Sequence, residues 1–240
     1  MKNKLLLFFS LLYFYSNAQQ NFINVPSAEV TIKNKVFFQQ QLNFNELMQS
    51  NSTLDFGLGR GFEIGANVLG LNFNNKQKSF LNNDTTETDP YNPLVLINAL
   101  KQFELSNHAS ITFGSQFGFN FTDNKKRSRA GLAYVNFRLT DILIKNSTLV
   151  LGSYYNSPHY GGRGNRFGAW VGTEIPVTSK FHLMAESVLG NNALCYTSLG
   201  VIYYPLKWMP LTLGIQIPNS KNNAYSIVFE LTIIPLNNKE

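Results

Sequence analysis

Three histidines, one cysteine and a scatter of carboxylates are the residues in this 240-residue chain whose types could support catalysis. His108 lies in a predicted turn, His159 in the stretch Pro158-His159-Tyr160-Gly161-Gly162, and His182 four residues before Glu186. Four residues of extended chain span about 13 Å, so His182 and Glu186 share a face without touching as a base and its orienting acid. The chain has no Gly-x-Ser-x-Gly elbow, His-Glu-x-x-His site, Cys-x-x-Cys pair or phosphate loop. The expectation is therefore no catalytic residue, no metal site and no cofactor. Loss of a hydrolytic activity in His159→Ala would be needed to reverse it. Cys195 stands alone, which excludes an intramolecular disulfide framework and fits a small apolar packing residue.

A second set of polar residues is regular rather than clustered. Lys33, Lys35, Asp55, Glu63, Gln116, Asn136, Arg138, Glu174, Glu186 and Glu230 stand on one parity of extended segments whose other parity is apolar. The clearest segment is Ile111–Thr122. Ile111, Phe113, Phe117, Phe119 and Phe121 are odd; Thr112, Gly114, Gln116, Gly118, Asn120 and Thr122 are even. Alternation at period 2 is the mark of a strand with one oily and one wet face. The same dyad predicts twelve strands, at about 29–44, 54–58, 62–73, 94–106, 108–122, 129–140, 147–157, 167–178, 180–192, 195–206, 209–218 and 224–236. A count of ten follows if the short second or the ambiguous fourth segment is not a strand. Apolar parity changes near Leu69, as a β-bulge would cause.

Connections alternate in length. Short turns at Gly59–Gly61, Ser106–His108, Val177–Lys180 and Pro205–Pro210 interleave with longer polar loops centred on 45–51, 74–92, 123–129, 156–166 and 218–223. Thr140–Asn146 is long for a turn, and Gly190–Ala193 short for a loop. Gly57, Gly65, Gly114, Gly118 and Gly172 fit bending and tight inward packing. Trp170 and Trp208 fit interfacial anchors or lumen filling.

Residues 1–18 read as a cleavable leader: Lys2 and Lys4, an apolar stretch from Leu5 to Tyr15, then Ser16-Asn17-Ala18 before Gln19. About eleven apolar residues fall short of the roughly twenty that a spanning helix needs. Cleavage after Ala18 leaves residues 19–240 as one domain and lowers the formal charge from +6 to +4. So mild a charge, without a recognisable module, argues against a nucleic-acid partner.

With a leader, repeated dyads, short and long connections in alternation and an oily face rich in Phe, the chain resembles bacterial outer-membrane β-barrel proteins, especially the small barrels of Bacteroidetes-like Gram-negative bacteria. The resemblance covers residues 29–236. Its most specific part is the last strand, where Tyr225, Ile227, Phe229, Leu231 and Ile233 alternate with Ser226, Val228, Glu230 and Thr232. Many members end there on an aromatic residue; this chain continues through Pro235 and Leu236 to Asn237-Asn238-Lys239-Glu240.

The resemblance implies an all-β, transmembrane, antiparallel up-and-down barrel in the outer membrane. Implied partners are the membrane lipid and lipopolysaccharide, the barrel-assembly machinery and small solutes; oligomeric state stays open. A secreted β-sandwich or lipocalin-like barrel is the soluble alternative, and there the oily face would look inward. In a membrane barrel the charged parity faces the lumen, either as the lining of a porin-like pore for small solutes or as a network of salt bridges that plugs it. Lys125, Lys126, Arg127 and Arg129, with Arg163 and Arg166, place positive charge on outer loops, as an anion-attracting rim or as plainly solvated charge. The expected function is a passive channel. A closed structural or adhesion barrel that binds an external partner through its loops is the alternative, and a lipid-modifying enzyme comes third.

Overall fold

Alternating side chains put oil on one side of every strand and polar groups on the other, and a sheet with such faces removes its edges by closing on itself. The computed structural model describes residues 22–45, 48–74, 79–81, 92–121, 128–221 and 223–236. The leader lies outside them. The strands in chain order are β1 (Val36–Phe44), β2 (Met48–Gly59), β3 (Phe62–Asn74), β4 (Ser79–Leu81), β5 (Leu94–Ser106), β6 (Ala109–Asn120), β7 (Arg129–Thr140) and β8 (Thr148–Asn156), followed by a one-turn helix α1 (Pro158–Gly161). Then come β9 (Phe167–Pro176), β10 (Phe181–Leu189), β11 (Tyr196–Leu206), β12 (Met209–Pro218) and β13 (Ser226–Ile233). Apart from β4, which only extends the sheet beside β3, each strand pairs antiparallel with the next. Pairing of β1 with β13, from Phe38 opposite Ile233 to Phe44 opposite Ile227, closes twelve strands into an up-and-down barrel.

Exposure is inverted relative to a water-soluble protein. On β6, Phe113, Phe117 and Phe119 are 50, 55 and 43% exposed, whereas Thr112 and Asn120 are buried. Ile97 on β5 and Leu213 on β12 continue the bare oily belt, while Asp55, Glu63, Asn136, Glu174, Glu186 and Glu230 are all enclosed. Oil outside and carboxylates inside make the surrounding solvent a bilayer, and the lipocalin-like alternative fails because its apolar face would fill the interior. No described helix is long and apolar enough to cross a membrane; the strands do it. Aromatic pairs mark both ends of the belt: Tyr155 with Phe167 near the long loops, and Phe181 stacked on Tyr203 near the short turns, each with ring centroids 4.8 Å apart. Near the turns the Lys101 ammonium sits 4.1 Å from the centre of the Phe62 ring. That is a cationic tip leaving an apolar wall where the bilayer ends.

Three elements differ from the sequence expectation. The first strand begins at Val36, not near residue 29, because Ala28 and Asn34 take left-handed backbone (φ 66° and 60°) and break the extended run. The second strand is twice as long as its apolar signal. Its outward Ser50 and Ser52 hydrogen-bond the outward Gln40 of β1, so this stretch of wall is polar and hides the dyad. The short β4 falls within the stretch read as a loop. The bulge near Leu69 is present: pairing shifts between Ser50 and Ser52, and Gly70, at φ 71°, donates its N–H to Asn51 Oδ1.

Candidate functional site

Residues 22–35, read in part as strand, turn into the barrel as a strap. At the end of the barrel that carries the short turns, Asn34 and Lys35 clip onto β2 through hydrogen bonds to Gly57 of 2.8 and 3.1 Å. From there the chain climbs to mid-height, and each backbone polar group drawn into the lumen must find a partner. Thr31 donates its N–H to Glu63 (2.6 Å), and Gln102 and Thr112 donate to the Ala28 carbonyl (3.1 and 3.2 Å). Asn136 donates to the Pro26 carbonyl (2.8 Å), and Glu29 pairs with Arg138. At the top, Glu186 accepts the backbone N–H groups of Asn24 and Val25 at 3.0 and 2.9 Å, while the Asn24 side chain links Glu186, Ser198 and Gln216. These contacts fall on β2, β3, β5, β6, β7, β10, β11 and β12, so the strap is tied across the lumen rather than along one wall.

Packing agrees. Phe22, Val25 and Ala28 are at most 1% exposed. The Phe22 ring lies against Gly172 of β9, where a Cβ would come within 2.5 Å of it, and the Ile32 carbonyl lies where a Gly57 Cβ would stand, 2.2 Å away. These two glycines thin the wall where the strap presses on it. Burial of each large apolar strap side chain contributes about 1.5–3 kcal/mol.

The strap divides the described lumen into two unlike halves. The turn-side half collects charge: Asp55, Glu63, Glu174 and Glu230 project inward, with Arg138 and His182 among them. Asn98 donates to both Asp55 (2.7 Å) and Asn67 (2.9 Å). His182 Nδ1 lies 2.5 Å from Glu174, which also accepts the Tyr204 hydroxyl at 3.2 Å. The partner of His182 is thus a carboxylate on the next strand and not Glu186, whose oxygens serve the strap. A chamber of about 50 Å³ remains beside Pro26, Ala28 and Glu29. Removal from water pushes the Glu29 carboxyl up to about 7, and the Arg138 guanidinium opposes that rise.

The loop-side half holds a vestibule of about 330 Å³ floored by Phe22, Ile23, Asn24 and Pro26. Its wall is amide: Gln39, Gln41 and Asn43 of β1, Gln49 and Asn51 of β2, and Asn67, Gln116 and Gln216 beyond. Gln41 donates to Asn43 (2.8 Å) and Asn43 to Gln49 (3.3 Å). Tyr160, held inward by α1, donates its hydroxyl to Gln116 at 2.7 Å. Burial raises the Tyr160 phenol above its ordinary range, so it enters the cavity as a neutral ring.

Several sequence-predicted positions lie elsewhere. Lys33 and Lys35 do not line the lumen: they flank the clip at the turn-side mouth, Lys33 exposed and Lys35 half-buried, because the strap and not β1 carries them. Lys125, Lys126 and Arg127 fall outside the described residues. Arg129 and Arg163 are exposed, and Arg166 turns back to donate to the Gly162 carbonyl (2.9 Å). His108 meets Asp141 at 3.1 Å in an exposed turn. Cys195 is buried beside the Tyr154 hydroxyl at 3.7 Å. The amide wall went unremarked as a site, although its signal, Gln-Gln-Gln-x-Asn at 39–43 and Gln-Ser-Asn at 49–51, is plain in the chain.

No family model and no curated protein matches this sequence. Among solved structures the chain is similar to a KdgM porin in complex with disordered oligogalacturonate, at 8% identity and a TM-score of 0.59, over 83% of this chain and 99% of that one. So low an identity with so complete an overlap is likeness of fold: this chain is built on the same barrel as that porin.

Proposed function

We propose that this protein is a porin-like outer-membrane barrel for small solutes whose passage is controlled by its own N-terminal strap. The observation that carries the reading is a polar lumen crossed at mid-height by residues 22–35, which hydrogen-bond to strands on opposite walls. Residues 1–18 act as the export leader, and their removal frees the strap to enter the closing barrel. The fold shared with a porin supports the outer-membrane setting and the handling of a small solute. Of the inward polar groups, Glu63, Asn136, Arg138 and Glu186 act first as moorings and, on release of the strap, join Asp55, Gln116, Glu174 and Glu230 as a lining. The exposed Arg129 and Arg163 are available to lipopolysaccharide phosphates or incoming solute.

A second reading, a closed barrel that captures an external partner through its loops, is favoured by the same strap. Planar-bilayer conductance separates them. The mature chain, residues 19–240, is expected to show small or intermittent steps, and a variant lacking 19–32 large steady ones. Silence from both, with each shown to be folded and inserted, overturns the pore and leaves the closed barrel.

A further inference from the structure

We propose that the loop-side vestibule is a binding site for a neutral, hydroxyl-rich ligand, a short uncharged oligosaccharide; this rests on the small-solute reading and names its chemical class. Of the 25 described residues that line the cavity, 12 are Asn or Gln and none carries a formal charge. A carboxamide that spends one hydrogen on a neighbour keeps a second, and its carbonyl has two lone pairs. The relay from Gln41 through Asn43 to Gln49 therefore holds three amides in fixed directions with donors and acceptors to spare. Adjacent hydroxyls on a sugar ring present the complementary alternation. Tyr196, half-buried on the same wall, adds flat apolar surface for the C–H face of such a ring.

The charge of the described lining disfavours charged alternatives. An acidic sugar chain, like that bound by the structurally similar porin, would lose its water here with no cation among the described lining residues to meet it, and the Glu186 carboxylate is reached below through Asn24. A cation would find no carboxylate among the described lining residues. About 330 Å³ is at the small end of the range of ligand cavities, which suits a few sugar units and not a polymer.

The test is titration calorimetry on the folded, detergent-solubilised mature chain with maltotriose, cellotriose, xylotriose, mannotriose and trigalacturonate. At least one neutral trimer is expected to bind, with an affinity unchanged by salt, and trigalacturonate to bind at least about tenfold more weakly. Asn43→Ala and Gln49→Ala are each expected to weaken the neutral trimer about fivefold to tenfold. Gln49→Ala, at the rim, keeps the assay usable if Asn43→Ala does not fold. Preference for trigalacturonate, no binding of any neutral trimer, or binding indifferent to both variants overturns the assignment. Conduction is measured separately. A strap-dependent pore that binds no trimer removes the saccharide and keeps the pore, and trimer binding without conduction does the reverse.

Discussion

Glu186 receives two backbone N–H groups of the strap together with the Asn24 side chain, and hydrogen bonds to a charged acceptor are among the stronger ones a protein makes. Glu186→Ala should weaken strap docking by about 1.5–3 kcal/mol, read as a tenfold to hundredfold faster hydrogen exchange at Val25. Unchanged exchange would mean that Glu186 is not a mooring. Glu29 adds a pH dependence. Its ordinary value is 4.5, and burial raises it to about 7 in the docked strap despite Arg138. Docking thus takes up a proton between those values. The contribution is complete below about pH 4.5 and is lost as pH rises through 7. Strap exchange, corrected for its intrinsic pH dependence, should be faster at pH 8 than at pH 6, and Glu29→Gln should flatten that difference. Equal protection at both values in the native chain would contradict it.

At the level of elements, the strap and the wall are separable. The strap contributes no strand to the ladder, and closure between β1 and β13 begins after it, at Phe38. Gly172→Ala places a methyl 2.5 Å from the Phe22 ring while leaving the pairing of β9 untouched, so it should loosen the strap without unfolding the barrel. The expected signature is a heat-modifiable band on gels identical to that of the native chain, with larger conductance steps. Native-size steps would show that Phe22 can shift without releasing the strap. The wall answers to a different solvent. Phe117→Arg on the bare face of β6 should cost about 2–4 kcal/mol in lipid near mid-membrane. A refolding titration into vesicles that finds less than about 1 kcal/mol would place Phe117 at an interface instead.

For the molecule as a whole, the parts most open to reading from the chain were those set by neighbours two residues away. Ile111 to Phe121 announces its wall because lipid and lumen alternate at every residue, and the same rule located the strands from 94 to 218 to within a few residues. It weakened at Met48–Thr53, where Ser50 and Ser52 bond Gln40 and no oil marks the outward side, and at Val30 and Ile32, whose alternation imitates a strand in a segment that is not one. Twelve strands, short turns against long loops and carboxylates on the inward parity are properties of local alternation, and local alternation is written residue by residue. What fills the lumen is not. Asn24 meets Glu186 across 162 positions, Glu29 meets Arg138 across 109, and the amide relay acquires its floor only when Phe22 is folded beneath it. Such pairings carry no period and no fixed spacing. They exist because closing the sheet brings distant strands around one axis, and that closure converted a set of inward-facing polar residues into moorings for a strap below and an amide-lined vestibule above.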